Sequence, residues 1–432
     1  MRIFYLTSEF PWPPLHGGRV RSLSQLRLLC AQPELRVLRV FSLTEDGVSV
    51  DDLSGFRRAL DNPPTLSIVP PIEHPIHLRQ HKRKLAEVAL IRLLHGTPYL
   101  LAKWRSSSVA AALTCELSAE SSGPRWEVIY IDHLGMAVYL PLIRKLCPTA
   151  RVVVECHNVE SEFFAQFAAK QPLPLRWLAE RESQAAAQHE AKILCEADAV
   201  VAISDRDAQR LRALSLARLG RAIQPLTVPP VVELAPVEPP AIELSTDLAP
   251  RVVYIGNLTW HPNVAGLDWL CQKVWPLLLA RLPSATLTIA GSGLPKDPHG
   301  PLQVPSLWSG TGIEVIGFVP DLREFLTNAA ALAAPVFGGS GVRIKLLDSL
   351  RLGVPTVTTS DGASGLPLHD DRELLLSDDP AGFAERLTRL CRDGALRLRL
   401  REAGLDYLRE HHSTERAGRA LRMALGLPVD VR

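Results

Sequence analysis

The sequence predicts an α/β protein made of two doubly wound parallel-sheet domains that face a central cleft. Three observations lead there. Short apolar runs alternate with longer helical patterns along the 432 residues, a proline-rich stretch interrupts the alternation once, and the alternation then restarts. Such an alternation is the signature of βα units laid into a parallel sheet.

The elements follow in order. Arg2–Leu6, Val37–Ser42, Val128–Ile131, Arg151–Glu155 and Ala199–Ile203 are near-continuous apolar runs, as strands must be when helices cover both faces of their sheet. Between them Arg19–Ala31, Leu134–Leu146 and Leu175–Glu196 carry helical spacing. Ser204 stands three residues before Asp207, a capping-box spacing that opens a helix through Leu214. From 224 to 250 the chain carries Pro225, Pro229, Pro230, Pro236, Pro239, Pro240 and Pro250. Proline removes backbone donors and favours extended conformers, so this stretch reads as a semi-rigid connector. Beyond it, Arg251–Ile255, Thr286–Ala290, Glu314–Ile316, Ala331–Ala334 and Thr356–Thr358 are predicted strands. Val264–Leu282, Leu322–Ala329, Ile344–Leu352 and Ala381–Asp393 are predicted helices, and Arg397–Gly426 is helical in pattern. The domains are therefore expected at 1–223 and 251–405, with 224–250 as linker and 406–432 as a terminal helix.

Composition narrows the function. Lys and Arg number 48 against 46 Asp and Glu, and this near-balance argues against a dedicated nucleic-acid binder. No run approaches the ~20 apolar residues that span a bilayer. The first residues, Met1–Leu6, begin directly as a strand without a signal-peptide layout. The seven cysteines are scattered and form no CxxC pair, so neither a zinc site nor a disulfide framework is indicated. The expected location is cytoplasmic, with reduced thiols.

Ligands on doubly wound sheets bind beyond the carboxyl ends of the strands, and the motifs sit there. Pro13-Pro14-Leu15-His16-Gly17-Gly18-Arg19 follows the first strand and opens a helix. Its glycines permit close backbone approach and a helix start favours phosphate, with Arg19 and Arg21 adding charge; a tight turn with solvated arginines is the alternative. Pro335 to Asp348 repeats the arrangement with Gly338, Gly339 and Gly341, the cations Arg343 and Lys345, and a carboxylate suited to sugar or ribose hydroxyls. A glycine-rich turn is again the alternative. His133 and His157-Asn158 end two strands, where a histidine can bind a hydroxyl or assist proton transfer, or be structural. Glu155, His157 and Glu160 lack a known zinc spacing, so no metal site is assigned. Arg79, Lys82, Arg83, Lys84 and Arg92 interleave with Leu85, Val88, Ile91 and Leu94. That pattern fits a basic amphipathic helix on an anionic membrane, or an ordinary helix with a solvated basic face.

Taken in order, these motifs resemble a family. The Gly-Gly loop, His133, His157-Asn158, Ala197 to Ser204, Gly256-Asn257-Leu258, Trp260-His261-Pro262-Asn263 and the 339–348 segment are similar to those of GT-B-fold glycosyltransferases of the family 4 / group 1 type. The resemblance implies a retaining transferase that takes a sugar from a nucleotide-sugar donor, with no essential metal and no further cofactor. It implies that Gly17 and Gly18 approach the donor diphosphate and that His133 lies near the transferred sugar. Gly256 and Asn257 match the loop after the first strand of the second domain, and Phe318 and Val319 the segment passing the nucleobase. Arg343 and Lys345 would meet phosphate. Ser340, Gly341 and Val342 line the donor loop, and Asp348 would hold the ribose. His133, Lys345 and Arg343 are then the catalytic candidates, with Arg19, His157 and Asn158 at the acceptor side or cleft.

Two departures accompany the resemblance. Ser340 and Asp348 stand where the family's Glu-x7-Glu pattern has two glutamates, and the usual Arg and Lys after the first strand of the second domain are absent. The implied acceptor is a saccharide or lipid-linked saccharide in cell-envelope or exopolysaccharide synthesis, with peripheral membrane contact through 79–94. A nucleotide-sugar epimerase of the same fold and a non-catalytic partner protein are the alternatives.

Overall fold

The computed structural model describes residues 1–75, 81–118, 125–169, 172–173, 175–234, 249–294, 302–338 and 341–429. The chain forms two compact units, Met1–Pro230 with Glu415–Arg432, and Val231–Thr414.

The first unit holds strands β1 (Arg2–Thr7), β2 (Val37–Thr44), β3 (Leu66–Ile68), β4 (Ile72–Glu73), β5 (Val128–Asp132), β6 (Arg151–Cys156), β7 (Ala199–Ala202) and β8 (Leu226–Thr227). Their order is β3-β2-β1-β5-β6-β7-β8, all parallel, with β4 also paired to β2. Strand order reverses between β1 and β5, which places a topological switch point at their carboxyl ends. The period of two in each strand sorts side chains between the faces. Phe4, Leu6, Ile129, Ile131, Val152 and Val154 enter one apolar core. The alternate residues Tyr5 and Tyr130 stack at 5.3 Å on the other face, where Glu155 also lies buried.

The second unit holds β9 (Arg251–Ile255), β10 (Thr286–Ala290), β11 (Ile313–Gly317), β12 (Ala331–Ala334), β13 (Thr356–Thr358) and β14 (Leu375–Leu376). Their order is β11-β10-β9-β12-β13-β14, again all parallel, with its switch point between β9 and β12. Both faces are covered. Val252, Tyr254 and Leu287 pack with Trp275 and Phe383 on one, and Val253, Leu332 and Leu346 with Leu350 and Tyr407 on the other.

The expected strands form with at most two residues' difference at either end. Three expected helical stretches break, Arg397–Gly426 into helices Gly394–His411 and Thr414–Leu425. Leu134–Leu146 is a 3-10 turn at Leu134–Tyr139 before an α-helix at Leu140–Leu146, and His133 enters the turn with φ 86°. Val264–Leu282 becomes helices His261–Trp269 and Trp275–Arg281 joined by a wide π-helical turn at Leu270–Val274. Pro276 has no N–H to donate and its ring crowds the carbonyl four residues back, so the helix widens just before it.

The domain limits also need correction. The expected 224–250 linker begins inside the first sheet, since β8 pairs with β7 as an edge strand; its stretch 235–248 lies outside the described residues. The terminal helix does not start at 406. A helix at Gly394–His411 runs through that position and buries Tyr407 and Leu408 in the second unit. The chain rejoins the first unit at Glu415, where the Thr414–Leu425 helix is held by Arg422 on Glu34 at 2.7 Å and by Arg151 on the Ala424 carbonyl at 2.8 Å.

Candidate functional site

Each unit presents a cluster of polar side chains at its switch point. In the first unit it starts from the helix Gly17–Cys30, which opens at the two glycines with His16 as N-cap. Arg19 and Arg21, read as cations for phosphate, are both committed elsewhere. Arg19 donates from Nε to Glu9 at 2.7 Å, and His16 lies 3.0 Å from the same carboxylate. Burial opposes ionisation of Glu9, but the His16 hydrogen bond and charge, then those of Arg19, outweigh it and bring Glu9 down to about 2. Arg21 points into the protein at 1% exposure and donates to Glu155 Oε1 at 2.6 Å and to the Val228 carbonyl at 2.7 Å. Gln25 and Tyr130 complete the ring of donors on Glu155, at 3.0 and 2.6 Å.

Next to Glu155 lies Asp132, the last residue of β5. Ser22 donates to it at 2.5 Å, and His157 Nε2 donates to its other oxygen at 2.6 Å. Burial alone would raise Asp132, but the His157 charge and hydrogen bond, with Ser22 and Thr7, hold it well below the usual carboxylate range. Burial likewise works against the His157 cation, and Asp132 then Glu155 overcome it, so His157 titrates above its ordinary value. His157 thus spends its Nε2–H on Asp132, which leaves Nδ1 as the ring nitrogen that could meet a ligand. The ligating atoms of Asp132, Glu155 and His157 lie within 4.8 Å of one another, a metal-sized cluster. The Arg21 guanidinium already neutralises Glu155 from 2.6 Å, so the charge a metal would supply is present.

His133 is different. The Gly135 N–H donates to its Nδ1 at 3.1 Å, so the neutral ring carries its proton on Nε2. Burial, then the His157 charge, pushes His133 down to about 3. In this tautomer His133 is a hydrogen-bond donor at Nε2 and not a proton acceptor there. The nearest carboxylate oxygen, on Glu160, is 3.7 Å away. Asn158 hydrogen-bonds Glu160, whose carboxyl burial pushes up. Sequence reasoning missed Trp104 and Gly135, which fix this corner. The Trp104 ring meets His133 edge-on at 5.9 Å, and a Cβ on Gly135 would stand 2.2 Å from Trp104 Nε1.

In the second unit the loop after β9 and the helix Ile344–Arg351 after β12 meet at one point. Lys345 Nζ donates to Asn263 Oδ1 at 2.9 Å and to the Ile255 carbonyl at 3.3 Å, and lies 4.9 Å from the Tyr254 ring centroid. Among the described residues no carboxylate reaches it. Burial, then the Arg343 charge, brings Lys345 down to about 7. Arg343 is buried as N-cap of that helix, donates to the Gly338 carbonyl at 2.8 Å, and rests over Trp260 at 5.2 Å. Asn263, unassigned by its spacing, joins the two segments. Its Nδ2 donates to the Asn257 carbonyl at 3.1 Å, and Tyr254 donates to its backbone carbonyl at 2.9 Å. Gly256 leaves that amide its place, since a Cβ there would come within 2.9 Å of Asn263 Nδ2.

The other expected donor residues are placed as follows. Asn257 is exposed and its side chain accepts from Thr259 at 2.9 and 2.7 Å, closing its own turn. Gly341 has φ 81°, and its carbonyl stands 2.9 Å from where a Cβ on Gly365 would lie. Val342 is half-buried, while Ser340 lies outside the described residues with Gly339. Phe318 follows Gly317, at φ 75°, and is half-exposed, with Val319 partly buried beside it. Asp348 is paired with Arg351 at 3.2 Å, and burial raises its carboxyl. Cavities of about 370 and 350 Å³ open along the helix Pro380–Arg392 and contain none of these residues.

The basic helix is realised at Lys82–His95, with 79 outside the described residues. Its polarity departs from the expected face. Lys84 is buried, donating to Glu87 and to the Arg105 carbonyl, and Arg92 pairs with Glu182, while Leu85 and Leu90 are exposed. No helix among the described residues is long and apolar enough to cross a membrane.

Known proteins resemble the chain in part of its sequence and in its fold. Residues 249–393 match the family model described as "Glycosyl transferases group 1". The chain has a GT-B fold, and the family match falls within its second unit. The fold assignment rests on solved structures. Anabaena HepE in complex with UDP and glucose matches with TM-score 0.62 at 11% identity, covering 99% of this chain and 100% of that one. Sucrose-phosphate synthase from Thermosynechococcus elongatus matches with TM-score 0.64 at 16% identity, covering 98% and 97%. A Klebsiella pneumoniae relative, "Uncharacterized 44.6 kDa protein in cps region", is 29% identical over 139 residues, which are 32% of this chain and 36% of that protein's length.

Proposed function

We propose that the protein is a retaining, metal-independent glycosyltransferase that moves a hexose from a nucleotide-sugar donor to a saccharide or lipid-linked saccharide. One observation carries the reading. Arg343 and Lys345 converge at the β9/β12 switch point, and among the described residues Lys345 donates only to neutral oxygens. A desolvated cation without a counter-ion favours an incoming anion. The helix Ile344–Arg351 adds its N-terminal partial charge beside them. As the sugar leaves, negative charge grows on the departing diphosphate, and these fixed positive groups stabilise it without reorganising. Two protein cations at that point fill the role a divalent ion has elsewhere. His133, a neutral donor at Nε2, suits an oxygen of the bound substrate. The bound UDP and glucose of the HepE complex and the cps-region location of the Klebsiella relative accord with a nucleotide-sugar donor and a capsular or related polysaccharide product.

Calorimetric titration with UDP and then GDP, before and after chelation, tests this. Saturable binding of one nucleotide that survives chelation is the expected result and names the donor class. No binding of either nucleotide up to millimolar concentration overturns it in favour of a non-catalytic partner protein.

A further inference from the structure

The first unit contains a cation that its own network does not use. Lys103 follows the short helix Tyr99–Ala102 and is half-buried. Its ammonium lies over the Trp104 ring, 4.3 Å from the centroid. Trp104 is 5% exposed, wedged against Gly135, and carries His133 on its edge. An aromatic face attracts a cation but accepts no conventional hydrogen bond. Among the described residues Lys103 Nζ has no hydrogen-bond acceptor and no ion-pair partner.

The acids around it are committed to other groups. Glu9 is held by Arg19 and His16, Glu45 by His81 at 3.1 Å, and Glu160 by Asn158. Burial also favours the protonated form of Glu160, which lessens its repulsion of an anion. The corner of the β1/β5 switch point therefore offers two unspent donors, the Lys103 ammonium and the His133 Nε2–H, joined through one tryptophan ring.

We propose that Lys103 and His133 form an anion subsite that takes a phosphate group carried by the acceptor saccharide. Phosphate is the fitting chemistry. A lysine is a compact point charge with three rotatable donors, which suits a tetrahedral oxyanion, whereas flat carboxylates are matched by the planar arginine fork. That the ligand is the acceptor rests on the transferase reading above; the anion site itself does not. The phosphate belongs either to a soluble sugar phosphate or to a lipid-linked saccharide, and the two sources are separated in the test.

The experiment titrates the full-length chain and its Lys103→Gln and Lys103→Arg variants with glucose 1-phosphate, with glucose and with UDP. It adds sedimentation with phosphatidylcholine vesicles, plain or doped with a polyprenyl phosphate. Glucose 1-phosphate is expected to bind at least about tenfold more weakly to Lys103→Gln, the scale of one lost charge-assisted hydrogen bond, and to recover in Lys103→Arg. Glucose and UDP should be unaffected. Lys103-dependent binding of doped vesicles alone assigns the lipid-linked source, and of glucose 1-phosphate alone the soluble one. Equal affinity of wild type and Lys103→Gln for every phosphate overturns the proposal, as does a parallel loss for UDP, which would give the cation to the nucleotide. Should Lys103→Gln not fold, acetylation of Lys103 in the native chain replaces it. Protection by the phosphate probe supports the subsite and lack of protection overturns it. Lys103-dependent phosphate binding with no nucleotide binding keeps the subsite and removes the transferase reading; nucleotide binding with no phosphate effect does the reverse.

Discussion

The two switch points use charge in opposite ways. At β1/β5 the carboxylates Asp132 and Glu155 are each matched by a buried cation and further donors: His157 and Ser22 for one, Arg21, Gln25 and Tyr130 for the other. At β9/β12 the cation Lys345 rests on an amide and a carbonyl oxygen, with no carboxylate among the described residues. Matched charge in a low-dielectric interior is scaffold, because removing either partner strands the other. Charge answered only by neutral dipoles is less stable in itself and stronger toward an anionic ligand. On the proposed function, the contrast separates residues that hold the fold from residues that await a substrate, although both groups look alike as charged side chains after a strand.

The largest expected effect breaks the scaffold side. Glu155→Ala leaves Arg21 buried without its counter-ion, and should lower unfolding free energy by about 3–5 kcal/mol in denaturant titration. A loss below about 1 kcal/mol, within the range of an exposed ion pair, would show that the network is not structural.

The ligand side should respond in the opposite sense. Lys345→Met is expected to lower turnover by on the order of 10²–10³, the scale of one preorganised donor to a developing anion, while the melting temperature holds or rises. Unchanged turnover in a natively folded variant would sink the assignment.

Asn263→Ala sharpens the comparison, since this amide joins Lys345 to the loop after β9. A loss of about 1–3 kcal/mol in nucleotide affinity is expected, with a larger loss from Asn263→Asp, whose carboxylate would give the ammonium a counter-ion that competes with the diphosphate. Equal stability loss and no affinity change would make Asn263 merely structural.

The smallest effects are read by pH. Lys345 at about 7 is largely neutral at pH 8–9, and a bound diphosphate favours its charged form. Binding there should take up a proton, seen as a dependence of calorimetric heat on buffer ionisation, and Lys345→Met should abolish it. Because the folded value lies below the unfolded one, this lysine costs stability below pH 7. That cost fades as pH rises from about 7 to 10.4. In the first unit the two histidines should diverge. By nitrogen-detected NMR, His133 stays neutral down to pH 5 while His157 holds its proton past 6.5. Neutral His133 contributes stability that is lost as pH falls from about 6.5 toward 3, and charged His157 contributes stability lost as pH rises through its raised folded value. Parallel titration of both rings would contradict the assigned tautomer and pairing.

Much of this protein was legible before any coordinates. Apolar runs bounded by turn residues located the sheets, since strand burial is written in consecutive side chains. The motifs after β1, β5 and β12 marked both switch points, because glycine, strand-end and helix-start chemistry are local, whereas the loop after β9 came from the family resemblance. The partners of the charges were not legible. Arg19 and Arg21 look equally free in sequence, yet one meets Glu9 ten residues away and the other Glu155 across 134. Lys84 reads as part of a basic face and is buried, while Leu85 beside it is exposed. His133 and His157 are the same residue type at equivalent strand ends, and burial beside a charged neighbour keeps one neutral while the Asp132 carboxylate keeps the other charged. Sequence by itself determined where the backbone could present ligand-binding groups, because secondary structure and turn chemistry depend on near neighbours. Tertiary structure alone decided which of those groups remain uncommitted, because pairing and desolvation are set by side chains brought together from distant parts of the chain.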